Sequence, residues 1–126
     1  MRLPEFFVEE TVVREAGESP VFDCGETEVQ PLLLTLGITH ATEQESIEVT
    51  IFDSADGARW RPAPQVQFAP NYYCGTYQMT LDRPHQRFLR ACWRVDRWGA
   101  EGARPYFGFY LKCAPALART LIAVAV

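Results

Sequence analysis

SIEVTIFDSADGARW, residues 46–60, carries the clearest structural signal in the chain. Ile47, Val49 and Ile51 alternate with Glu48 and Thr50. In an extended chain successive side chains point to opposite sides, so this run reads as a strand with one buried and one wet face. It ends in DSADG, residues 53–57. Asp53 and Asp56 can accept nearby backbone N–H groups, and Gly57 can take positive φ without steric cost. The pattern predicts a hairpin loop of three to five residues, built on a type I turn with a glycine bulge, and Trp60 on the return strand.

The same rhythm continues in both directions. Upstream lie FFVEETVVR (6–14) and EVQPLLLTLGIT (28–39), the latter with Leu32, Leu34, Leu36 and Ile38 on one face. Downstream lie ARWR (58–61), QVQF (65–68), CGTYQMTLD (74–82), QRFLRACWRVDR (86–97) and PYFGFYLKC (105–113). Alternation places Tyr77, Met79 and Leu81 inward, then Leu89, Ala91, Trp93 and Val95, then Phe107, Phe109, Leu111 and Cys113. Gly, Pro, Asn and Asp clusters punctuate the runs at short intervals. Short alternating strands at this spacing predict an all-β antiparallel β-sandwich of about eight strands, a single domain over 1–126. The tail, PALARTLIAVAV (115–126), fits either a helix start or a strand, and its apolar end needs cover.

Charge is segregated along the chain. Residues 1–57 hold two Arg and thirteen Asp/Glu (−11), and residues 58–126 hold nine Arg and one Lys against three acids (+7), which gives the net −4. In one small domain such halves interleave, so complementation within the chain or between subunits is the expected use. The acidic total argues against nucleic acid as a partner. The start, MRLPEFFVEE, has no charged segment leading into an apolar run, and no stretch has the roughly 20 apolar residues of a membrane helix. A cytoplasmic protein without a membrane partner is expected. Cys24, Cys74, Cys92 and Cys113 have no close spacing and stand apart from both histidines, so buried thiols are expected rather than a zinc site.

The segments IEVTIF, SADG and ARW, the later RFLRACWRV (87–95), and the closing PYFGFYLK resemble the discoidin or coagulation-factor C-type domain of the galactose-binding-like jelly-roll superfamily. The resemblance covers about half of the chain, between Leu32 and Lys112. It lacks the flanking cysteine pair that closes many extracellular members. It implies a jelly-roll sandwich that recognises a carbohydrate or protein partner through loops.

No nucleophile motif, phosphate-cradling glycine loop or HExxH is present, so a non-catalytic module without a cofactor is expected. His85 follows Pro84 and reads as a turn residue; His40 lies near Glu43 and Glu45, within reach of an ion pair. Candidate ligand-binding residues are Asn71, Tyr72 and Tyr73 in APNYYCG, and Arg97, Trp98 and Glu101 in DRWGAEG. Their aromatic rings suit the apolar faces of sugars, and their polar groups suit hydroxyls. Trp60 and Trp93 are assigned to packing. Asp53 and Asp56 are weak calcium candidates, short of the six to eight oxygens that calcium takes, so turn stabilisation is the preferred reading. Arg90 and Arg94 share one outer face of their strand, with Arg87 and Arg97 on the other face at its ends; they suit carboxylate pairing with Glu48 and Glu28 or an interface with a second subunit. A self-assembling structural subunit with complementary acidic and basic surfaces is therefore the alternative to the binding module.

Overall fold

Strong alternation makes the central strands. In the computed structural model, which describes residues 5–24, 31–82, 85–98 and 104–115, β4 (Leu32–His40) and β5 (Glu45–Ser54) follow each other in the chain yet belong to different sheets. Leu32, Leu34, Leu36 and Ile38 of β4 and Ile47, Val49 and Ile51 of β5 are buried in one core between the sheets. The remaining strands are β1 (Glu5–Val13), β2 (Gly17–Glu18), β3 (Phe22–Asp23), β6 (Val66–Gln67), β7 (Gly75–Leu81), β8 (Phe88–Arg97) and β9 (Phe107–Pro115). One sheet has the order β1-β9-β4-β7, the other β2-β8-β5-β6 with β3 also on β8, and every pairing is antiparallel. The chain is a β-sandwich, as its period-two pattern requires, and the described residues contain no helix.

β2 and β3 act as one interrupted strand. Their partners on β8 run from Trp93 and Cys92 to Leu89 and Phe88. The break falls at Ser19-Pro20, where proline has no N–H for a ladder. Ser19 N–H still donates to Ala91 O at 2.8 Å, and Ser19 Oγ accepts from Ala91 N–H at 2.9 Å, so a hydroxyl replaces a backbone carbonyl in the pairing. Counting this strand once gives eight.

The core joins Phe107, Phe109 and Leu111 of β9 to Leu89 and Ala91 of β8 and to the β4 and β5 aliphatics. Trp93 packs edge-to-face on Phe109, with centroids 5.3 Å apart. Gly37 of β4 is flush against the Tyr110 ring on the outer side of the first sheet.

Several expectations are corrected. ARWR is not a strand: it contributes one isolated bridge, Ser54 to Trp60. Of QVQF, only Val66–Gln67 pairs regularly, although Phe68 is buried. Met79 is 38% exposed although its neighbour on the same side, Leu81, is buried, because the facing sheet ends in the two-residue β6. Of the four cysteines, Cys113 is buried, Cys24 and Cys92 are half-buried, and Cys74 is exposed in the loop before β7. Pro115 ends β9, while residues 116–126 of the tail, Glu28 and Glu101 lie outside the described residues.

Candidate functional site

The two ends of the sandwich differ. At one end the hairpin after β5 meets the segment before β8, and its polar groups serve each other. Asp53 is fully buried, and its carboxylate takes Arg61 through both oxygens, with Nε to Oδ1 at 2.7 Å, while Oδ2 also accepts Gln86 N–H at 2.8 Å. Burial alone would raise its pKa; the guanidinium and the amide overcome this and hold it below the ordinary 3.8. Asp56 Oδ1 accepts the N–H groups of Ala58 and Arg59 at 2.8 and 2.9 Å, and the Ser54 hydroxyl at 3.0 Å. These donors, the two amides first, lower its pKa to about 2. Ser54 Oγ accepts Gly57 N–H at 2.9 Å, and Gly57 has the positive φ that the turn requires. The segment between Ser54 and Trp60 is thus a turn held by its own polar groups and closed by one bridge. Asp53 and one oxygen of Asp56 are taken by protein donors, and among the described residues no three His, Cys, Asp or Glu are grouped to hold a metal.

At the other end lie the β4–β5 turn, the β6–β7 loop and the end of β8. Gln44 has φ 60°, a left-handed conformation that turns the chain tightly into β5. Its carbonyl accepts the Trp98 backbone N–H at 2.9 Å, which fixes the main chain just beyond the last β8 residue. Glu45 is buried, and its carboxylate oxygens accept Thr42 N–H at 2.6 Å and Tyr106 N–H at 2.8 Å. One side chain therefore joins the β4–β5 turn to the segment entering β9. His40 packs its ring on Tyr106 at 4.8 Å, so this contact replaces the ion pair expected for it.

Asn71 exchanges two backbone bonds with Ile47, both at 2.9 Å, and its side-chain amide donates to Ala69 O. It is a fixed point of the loop rather than part of a concave surface. From this anchor Tyr72 reaches Trp98: the rings meet edge-to-face, centroids 6.2 Å apart at 78°. They are 45% and 46% exposed. Between them and the outer side of β5 and β8 is a hollow of about 410 Å³, lined by Ser46, Glu48, Pro70, Tyr72, Arg94, Val95, Asp96 and Trp98. Cross-strand register explains the polar lining: Ser46 stands opposite Asp96 and Glu48 opposite Arg94. Arg94 Nη2 donates to Glu48 Oε1 at 3.0 Å.

The two loops singled out in the sequence thus converge, at Tyr72 and Trp98. Tyr73, 76% exposed, stands outside the hollow with its ring 6.4 Å from Tyr72. Arg97 also stays outside, donating to Arg104 O at 3.1 Å. Arg94, expected at an interface, lines the same hollow; Arg90 does not. The Arg90 guanidinium lies over the Trp60 ring at 4.4 Å and pairs with Glu18 at 3.5 Å. Arg87 holds Asp23 through two bonds of 2.8 and 2.9 Å. The acidic and basic halves of the chain therefore meet inside one molecule, at Arg87–Asp23, Arg90–Glu18 and Arg94–Glu48. Sequence reasoning does not pick out Glu48, Ser46 and Asp96 as site residues. Their outward parity is legible, but the register that sets them beside Trp98 is not.

Comparison with protein-family models, curated proteins and solved structures finds no match in any of the three.

Proposed function

We propose that this protein is a non-catalytic carbohydrate-binding module whose site is the hollow between Tyr72 and Trp98. The observation that carries this reading is the pairing of two half-exposed aromatic rings with a polar floor of Ser46, Glu48, Arg94 and Asp96. Aromatic rings bind the C–H faces of sugars, and carboxylate, guanidinium and hydroxyl groups bind sugar hydroxyls and set orientation. The main chain that carries the rings is held before any ligand arrives, by Asn71 to Ile47 and by Trp98 to Gln44, so little backbone ordering remains to be done on binding.

The discoidin-like reading of the sequence points the same way. It draws support from the strand orders β1-β9-β4-β7 and β2-β8-β5-β6, in which six of the eight successive strand connections cross between sheets, as in jelly rolls. Glu48 and Asp96 outnumber Arg94, so the hollow favours neutral or amino sugars over sialylated or sulfated ones.

A glycan array followed by titration of the best binder tests the reading. Trp98→Ala should weaken binding at least tenfold while the melting temperature stays near wild type, because the indole is half exposed. Absence of any glycan signal, or unchanged affinity in the variant, would refute it; binding only to immobilised proteins would move the site to protein recognition.

A further inference from the structure

β7 is an edge without the usual protections. It pairs on one side with β4, from Leu32–Leu81 to Ile38–Gly75, in one unbroken register, and no described strand pairs with its other side. Its sequence, GTYQMTL, has no charge and no proline. Native edges are normally blunted by charges, prolines or bulges that prevent pairing with another chain. The opposite edge of the same sheet, β1, has such devices: Glu9 and Glu10 in its middle and two register shifts against β9.

A second observation coincides with the open edge. Tyr77 and Met79 pair with Leu36 and Leu34 and stand on the core-facing side of the sheet. Yet Met79 is 38% exposed and Tyr77 only half buried, because the facing sheet stops at β6. Strand parity places an apolar pair where this molecule supplies only part of the cover.

The geometry points to a second copy of this chain, joined through antiparallel β7–β7 pairing about a two-fold axis at Gln78. The seven residues are self-complementary in that register. Tyr77 meets the partner's Met79, Thr76 meets the partner's Thr80, and Gln78 meets the partner's Gln78. Aromatic–apolar and Thr–Thr neighbours are favourable cross-strand pairs, and an uncharged strand sets no like charges against each other. β1 in the same arrangement would oppose its own glutamates. The product is a continuous eight-stranded sheet, β1-β9-β4-β7 followed by its two-fold copy, with Tyr77 and Met79 covered by their counterparts. A two-fold contact closes on itself, so assembly stops at the dimer. A single-strand seam is small, so the dimer is concentration-dependent. The hollow between Tyr72 and Trp98 is not part of this seam.

Sedimentation velocity over a wide concentration range tests it with three proteins: wild type, Gln78→Glu and Gln78→Lys. Gln78 is exposed, and its amide reaches only as far as a 3.3 Å contact with Thr35 Oγ1, so both variants keep the wild-type melt. Wild type should show a monomer–dimer equilibrium. Each variant sets like charges on the axis and should dimerise roughly tenfold more weakly. An equal mixture of the two should regain at least wild-type dimerisation as the mixed pair. A wild type that is monomeric throughout, variants that dimerise like wild type, or a mixture that fails to recover would each overturn the proposal.

Discussion

Replacing Glu45 by alanine probes how one end of the sandwich is held. The side chain is buried and its two oxygens each accept one backbone amide, Thr42 at 2.6 Å and Tyr106 at 2.8 Å. A hydrogen bond to a charged acceptor contributes about 1.5–3 kcal/mol net, so two would give about 3–6 kcal/mol. Thr42 and Tyr106 are only half buried, and water entering the vacated space can reach their amides. That offsets part of the loss and leaves about 3 kcal/mol. For 126 residues a kcal/mol corresponds to about 4 °C, so the melting temperature should fall by about 12 °C. Glu45→Gln keeps one acceptor oxygen and turns the other into a donor facing a donor, so it should lose about half as much or slightly more. Urea titration gives the free energies, and amide exchange gives the location. The Trp98 amide, bonded to the Gln44 carbonyl next to Glu45, should exchange faster in the alanine variant. The Gln86 amide, bonded to Asp53 at the far end, should follow global stability alone. An alanine variant that melts with wild type, or that loses Gln86 protection before Trp98 protection, would refute this account of the end.

Acid should destabilise the protein through the hairpin end. Asp53 and Asp56 have folded pKa values below the unfolded 3.8, so the stability they contribute is complete above that value and is lost as pH falls through the lower folded ones. Urea midpoints should therefore decline between about pH 5 and pH 2, and Asp53→Asn should flatten that decline while lowering the midpoint at neutral pH. In the first sheet, Gly37→Ala would drive a methyl into the Tyr110 ring and should cost about 1–3 kcal/mol. Tyr110→Ala in the same chain removes the obstacle, so the double variant should cost less than the sum of the two single changes, as read by thermal denaturation.

The fold is legible in the sequence because burial enforces parity. Leu34, Ile47, Val49, Ile51, Phe107 and Phe109 are all fully buried, and alternation alone places each of them inward. Parity fails where the opposing layer is missing. Met79 obeys the alternation yet stays partly exposed, since no sequence rule says that β6 ends after two residues. The turn is legible at Asp56 and Gly57, which act within a few residues of one another, but the return strand expected at residues 58–61 shrinks to a single bridge at Trp60. The hollow is legible only in part. Tyr72 and Trp98 stand out as aromatics in loops, but Glu48 and Asp96 join them through the β5–β8 register, which depends on pairing between segments far apart in the chain. Arg61 likewise meets Asp53 by turning back along the hairpin, a contact that no short motif announces.

The unlike ends of the sandwich have a consequence for how this protein can change. Asp53 and Asp56 are each held by several donors of the chain, so an altered residue there is felt first as a folding defect. Around Tyr72 and Trp98, Asp96 and half of each ring remain unclaimed, and many replacements leave the framework untouched. Descendants of this sequence are thus free to vary the surface at that end while inheriting the same scaffold.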